Sequence, residues 1–545
     1  FGTWLVKDNK GGFVVDIFQM IFVLFIVVFV GISLWYARKG SSLQDFYVME
    51  GNAGPFLIAG TYLATWVSAV GMVGLTGVSY STGLVTGILT WGAYPGFVIS
   101  AFFIGNKLRR FGQVTLGDYY EARFGGKNIR LLSTIITIVG LGGYFISQLI
   151  GSAVITETVL GIPYNIMLPL MVAVFSIIAI CGGARTVTLT DTIMSCLIAV
   201  SIGIVFAPVF ISSVGLETMS KYAVEKPEFF TATGGGLVGW GTIIGWQVLW
   251  CFGNAANPAS ITRAYLAKDS RTWVKAIMLS LMVVIPLVWM AQSTAAFVKF
   301  VHPDLSNPAQ ALIWAATSTY TPRIIGAFAI AGLFACVLST ASTQILMLAF
   351  SVSRDIYERF GTFKNDEERD KKSLFTARLW IGIFAIVAVI LSWGRPTYIY
   401  LAGNFGSSVF AAAFFPALIM GLSWKKATKA GAYASMWVGL VLDAILSFYP
   451  MIFLNKPLAW AEYLPFGIHP VIWALIAAQI TVVVVSLMTQ ESITEKQLEI
   501  YTICQTKEKG ELLTPKKSLV RYTAATAVVG ILFLLVVCWY STFAA

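Results

Sequence analysis

Apolar runs long enough to cross a bilayer recur from one end of this 545-residue chain to the other. Inside lipid no water is present to bond backbone N–H and C=O groups, so a chain can cross only as helices or as a closed barrel. Runs near 20 residues match a hydrocarbon core of about 30 Å for helices, whereas barrel strands need only about 10. The sequence therefore reads as an all-α polytopic membrane protein with about 14 transmembrane helices. The candidate spans lie near 14–36, 56–80, 84–106, 128–160, 165–182, 187–213, 237–262, 273–299, 321–353, 374–394, 397–422, 428–449, 467–489 and 521–542. They are referred to below as spans 1 to 14.

The net charge of +11 invites a nucleic-acid partner, but only 12% of residues are charged and the cations sit in short loops between spans. No basic helix or zinc spacing is present, so the expected partner is the lipid bilayer and not nucleic acid. With the N-terminus outside and the spans alternating, 29 of the 37 Lys and Arg fall in inside loops. By the positive-inside rule this places both termini outside in a multi-pass plasma-membrane protein (the inner membrane in a bacterium). The six cysteines show neither metal spacing nor an extracellular framework, so no structural disulfide is expected. The charged segments 357–373 and 490–520 read as a solvated loop and a connector, the latter too short for a signalling domain. No nucleophile–base pair or metal cluster suggests an enzyme.

Two spans read as broken. Span 2 carries Gly60, Gly71, Gly74 and Gly77, with Thr65 and Ser68 at its centre; span 7 carries Gly245, Gly253, Asn254, Asn257 and Pro258. They stand five spans apart, so each opens a five-helix unit. Discontinuous helices at matching places in two halves point to an inverted-repeat transporter with its site at mid-membrane. The implied divisions are an N-terminal extracellular segment and accessory helix (1–55), a first five-helix repeat (56–213), an extracellular loop (214–236), a second repeat (237–422) and three accessory helices (423–545). Span 9 carries Ser339, Thr340, Ser342 and Thr343, which share one helix face. Such hydroxyls can bond back to the carbonyl four residues earlier or join two helices. They also offer neutral oxygens to a small hard cation such as Na⁺. A carboxylate within a span is costly and a functional candidate by default. Asp191 opens span 6 near where span 9 should pack, while Asp443, outside the repeats, reads as structural.

At these residues the chain resembles the sodium:solute symporter family across nearly its whole length. Span 9 runs Cys336, Val337, Leu338, Ser339, Thr340 and exits through Arg354, Asp355, Ile356, Tyr357; GGARTVTLTD (182–191) and GLSWKKATKAGA (421–432) are similar to the family's span-6 entry and span-11 exit. The resemblance implies a leucine-transporter-type core in spans 2–11, complete in a single chain that functions as a monomer. It also implies a Na⁺ site built from the carbonyls of Ala64, Val67 and Cys336 and the hydroxyls of Ser339 and Thr340. A second Na⁺ would use Asp191, Ser342 and Thr343.

For the solute, the family's positions fall on Thr65, Trp66, Gly71, Thr90, Tyr144, Trp250, Asn254, Asn257 and Asn404. Gly71 and Thr90 stand where sugar carriers place Gln and Glu. Tyr144, Trp250 and Pro258 match proline carriers, but Trp66 and Asn254 replace their Asp and Tyr. Ala64, Thr65 and Trp66 match choline-type members, and Asn257 does not. The spacing of Cys251, Phe252, Gly253, Pro258 and Lys268-Asp269-Ser270 is most similar to pantothenate and monocarboxylate carriers. The implied function is Na⁺-coupled symport of a small organic solute, a monocarboxylate or amino-acid-like molecule first, a quaternary ammonium second and a sugar third. A transporter-like sensor would need an output domain, and H⁺ coupling would need a titratable group amid the hydroxyls.

Overall fold

The computed structural model describes residues 16–37, 51–394, 399–454, 464–490 and 493–508, together with Tyr47 and a small hairpin in which Val6–Lys7 pairs with Phe13–Val14. Eleven of the described helices are long and apolar enough to cross a membrane, and a bent pair adds a twelfth. Helical elements stand at every expected span up to residue 489; the expected span at 521–542 lies outside the described residues.

In chain order the elements are α1 (Ile17–Ala37), the bent pair α2 (Pro55–Trp66) and α3 (Val70–Thr82), α4 (Gly87–Phe111), the short α5 (Leu116–Phe124) and α6 (Lys127–Leu160). Then come α7 (Tyr164–Cys181) and α8 (Gly183–Val214), which run on through a kink where Gly183 has φ of 55°. The broken span 7 begins as α9 (Trp240–Val248), continues through Leu249–Gly253 and Asn254–Ala256, and restarts as α10 (Pro258–Ile261). After it follow α11 (Ser270–Val301), α12 (Arg323–Glu358), α13 (Asp366–Ser392), α14 (Ala402–Ser423), α15 (Lys429–Phe453), α16 (Pro470–Met488) and α17 (Glu495–Gln505).

The hydroxyl-bearing α12 is the central column. Every residue from 329 to 346 is buried, as expected of a helix that is apolar nearly all round. It touches α1, α2, α6 and α13. From α1, Phe22, Phe25, Phe29 and Ser33 form one buried stripe at helical spacing, and the rings of Phe22 and Phe25 meet Phe334. Spans 4 and 11 pack backbone against backbone where Gly140 meets Gly406: a Cβ on Gly406 would lie 2.3 Å from the Gly140 carbonyl oxygen.

At the end of the molecule that collects Lys and Arg, ion pairs link several elements. Helix α5 starts with a capping box between Thr115 and Asp118. Arg130 donates to Asp118 (2.6 Å), Glu121 (2.9 Å) and Asp355 (3.0 Å), and Arg359 donates to Glu121 at 2.5 Å. Burial pushes the Glu121 carboxyl upward, but the hydrogen bonds from Arg359 and Arg130 outweigh it and hold the group below the usual carboxylate range.

Two expectations are corrected here. Segment 357–373 is not all loop, because Asn365 accepts from Glu368 N (2.8 Å) and starts α13 at Asp366, with Asp366, Glu367 and Glu368 favouring the helix N-terminus. The connector 490–520 contains the docked helix α17. Its Gln505 donates to Leu422 O (2.5 Å), Gln497 donates to Phe124 O (2.6 Å), and its Cys504 carbonyl accepts from Arg110 (2.7 Å). Just beyond it, Glu508 accepts from Ser270 N at 2.7 Å.

Candidate ion and solute site

The axis of span 2 turns by 53° between α2 and α3, with Val67 extended at φ −77° and ψ 108°. That break frees carbonyls from the helical ladder and aims them at α12. Thr340 Oγ1 lies 3.0 Å from Ala64 O, 3.2 Å from Val67 O and 2.8 Å from Cys336 O. Ser339 Oγ lies 3.1 Å from Ala64 O, 3.2 Å from Cys336 O and 2.8 Å from Ala335 O. Each hydroxyl owns one hydrogen. If both donate back to the carbonyl four residues earlier, the Ala64 and Val67 oxygens face hydroxyl lone pairs with no hydrogen between them. The five expected oxygens thus converge with more acceptors than donors, a composition suited to a hard cation.

About one turn further along α12 the picture differs. Thr343 Oγ1 lies 3.2 Å from Asp191 Oδ2, and Thr61 Oγ1 donates to the same oxygen at 2.8 Å. Between them enters Arg263, whose Nη2 is 3.4 Å from Asp191 Oδ2 and 3.0 Å from Thr343 Oγ1, and whose Nε is 3.0 Å from Thr61 Oγ1. Ser342 points away and donates to Leu338 O at 2.7 Å. Of the expected second-ion trio, two residues come together, and a guanidinium supplies the positive charge beside them. Arg263 itself, expected in an inside loop, is buried.

Among the expected solute residues, Trp66, Gly71, Thr90 and Trp250 line one small cavity of about 10 Å³ together with Ser68, Met72 and Val288. Tyr144 borders it by a 2.9 Å bond between its hydroxyl and Ser68 Oγ. The indole N–H groups of Trp66 and Trp250 are buried with no protein partner, as are Asn254 Nδ2 and Asn404 Oδ1. Thr65 turns away and donates to Thr61 O at 2.8 Å. Asn257 is committed elsewhere: its Oδ1 accepts from Ala259 N (2.9 Å) and caps the restart of span 7 at Pro258.

A model of the sodium:solute symporter family matches residues 46–439. The chain belongs to that family. The sodium/pantothenate symporter of Escherichia coli (strain K12) is 26% identical over 464 residues, covering 83% of this chain and 93% of the relative. The sodium/proline symporter 2 of Staphylococcus saprophyticus is 28% identical over 490 residues, with 87% and 93% covered. Among solved structures, a substrate-bound, outward-open Na⁺-coupled sialic acid symporter superimposes with a TM-score of 0.71 at 16% identity, covering 88% of this chain and 98% of that one. That likeness establishes the fold. This symporter is a multi-pass membrane protein that couples Na⁺ to a small organic solute, and it is not an enzyme.

Three residues that the structure places against the candidate site escaped sequence reasoning. Arg263 lay one residue past the assumed end of span 7. Thr61 carries no signal beyond being a hydroxyl in an apolar helix. Gln148 left a usable one, since an amide in the middle of span 4 needs a polar partner inside the membrane. It has one: Gln148 Oε1 accepts from Ala69 N at 2.8 Å.

Proposed function

We propose that Na⁺ binds between the broken span 2 and α12, held by the carbonyls of Ala64, Val67 and Cys336 and the hydroxyls of Ser339 and Thr340. The acceptor surplus among these five oxygens is the observation that carries this reading. Bound Na⁺ stabilises the outward-open form and completes the solute cavity; the solute closes the outer side, and rocking of one five-helix repeat against the other opens the inner side. Coupling requires that ion and solute favour the same conformations, so each raises the affinity of the other equally. The orientation we favour has fourteen spans, both termini outside and a single chain as the working unit. The Lys/Arg-rich end is then cytoplasmic.

For the solute, the unpartnered groups at the cavity wall are the N–H donors of Trp66 and Trp250, with the Asn254 amide close in sequence. Donors without a fixed charge suit a carboxylate or amide oxygen, with Na⁺ as the balancing charge. We therefore favour a monocarboxylate or amino-acid-like solute over a quaternary ammonium. The named pantothenate and proline carriers among its relatives support that class.

The test needs no knowledge of the solute. Thermal stability of the purified protein is compared in NaCl, KCl and choline chloride at equal ionic strength, for wild type and for Ser339→Ala/Thr340→Ala. A ligand at 100 times its dissociation constant adds about 2.7 kcal/mol to the folded state. A Na⁺-specific rise in wild type that disappears in the double variant is the expected result. A rise that survives the substitutions removes the ion from this site.

A further inference from the structure

Span 4 presents Tyr144, Gln148 and Gly151 along one helix face, and all three meet the two residues that follow the break in span 2. The Tyr144 hydroxyl lies 2.9 Å from Ser68 Oγ. Gln148 Oε1 accepts from Ala69 N at 2.8 Å. At Gly151 a side chain is forbidden, because a Cβ there would sit 2.6 Å from Ala69 Cβ. The orientation of the amide is fixed from its other end, where Gln148 Nε2 donates to Ser147 Oγ at 3.3 Å. Gln148 is wholly buried, and its acceptor is spent on the backbone N–H of Ala69, the residue that caps the start of α3 and has no intrahelical partner there.

We infer that Gln148 is a positioning residue for the coupling ion. It touches neither the ion nor the solute. By anchoring Ala69 N it fixes the peptide units 67–69, and with them the direction in which the Val67 carbonyl points toward Thr340. Without the anchor the short extended segment at Val67 is free to turn, and the five oxygens lose one member. Span 4 thus sets the shape of a site that lies wholly on spans 2 and 9. The inference rests on the Na⁺ reading given above.

The test is a Na⁺ titration of thermal stability at constant ionic strength on the full-length, detergent-purified protein. It uses wild type, Gln148→Met, which keeps the shape and removes the acceptor, and Gln148→Glu, which keeps the acceptor. The expected result is a Na⁺ midpoint raised about tenfold in Gln148→Met and held within about threefold of wild type in Gln148→Glu. A merely structural glutamine would lower stability in KCl and leave the Na⁺ midpoint in place. Either an unchanged midpoint in Gln148→Met or an equal weakening in both variants overturns the inference. Should Gln148→Met not fold, Ala69→Pro breaks the same hydrogen bond from the other side; Ala69 has φ of −56°, which proline accepts at a helix start. It carries the same expected rise and the same overturning result. The double variant Ser339→Ala/Thr340→Ala is titrated alongside. If it keeps the wild-type response the Na⁺ site itself is misplaced, whereas if it loses the response and Gln148→Met does not, only the role of Gln148 fails.

Discussion

Arg263 and Asp191 stand 3.4 Å apart with almost no solvent access to either. Removing one member of such a pair leaves a buried charge without compensation and costs about 3–5 kcal/mol, while removing both costs far less. Arg263→Leu is therefore expected to lower the thermal unfolding temperature in KCl sharply, and Asp191→Asn added to it should recover most of the loss. Equal loss in the single and double variants would show that packing, not charge, holds the pair. This ion pair was hidden in the sequence because its halves lie 72 residues apart and its cation stands one residue past the expected end of span 7. Ser339 and Thr340 were legible because four hydroxyls crowded into five positions of an apolar helix need polar groups to face inside the membrane. Ser342 belongs to the same run yet bonds only within α12, which spacing cannot reveal.

Among the helices, contact distance between spans is set where side chains are absent. Gly140 and Gly142 are two residues apart on α6 and face different surroundings. A Cβ at Gly140 would fall 2.4 Å from the Phe410 ring, whereas none would meet anything within 4 Å at Gly142. Gly140→Ala should destabilise the protein by about 1–3 kcal/mol, the usual cost of overpacking, and Gly142→Ala should be neutral or slightly stabilising. Thermal unfolding of the two variants side by side checks the contrast.

The breaks in spans 2 and 7 were expected from glycine and proline content, with different success as to cause. Pro258 stands at the break as the first residue of the restarted helix, where its missing N–H is no loss, and the Asn257 cap opens that piece just after Asn254–Ala256 has ended. In span 2 the glycines serve elsewhere: Gly60 admits Thr192 and Gly77 admits the backbone of Pro308 and Ala309. The break itself falls at Val67, where no glycine stands, and is held by a glutamine from another helix. Apolar run length predicted where the helices are; what bends them depends on partners far away in the chain.

Across the whole molecule, the Lys/Arg-rich end of α14 is covered by groups from several elements. Lys107 donates to Leu422 O (2.9 Å), Arg123 to Gly421 O (3.0 Å) and Trp424 O (3.2 Å), and α17 adds Gln505 on Leu422 O (2.5 Å). Beneath this cover lies Cys504, only 1% exposed. Burial raises its thiol pKa to about 11 against the opposing pull of Arg123, Lys107 and Arg110. A thiol so placed is almost wholly protonated at neutral pH and shielded from reagents. The helix therefore gives the symporter a native chemical tell-tale for movement at its Lys/Arg-rich end. With the other cysteines replaced by serine, maleimide should label Cys504 several-fold more slowly in NaCl than in KCl if, as we propose, Na⁺ favours the form in which this end is shut. Equal rates in the two salts would mean that α17 rides with its neighbours as one rigid piece and never lifts.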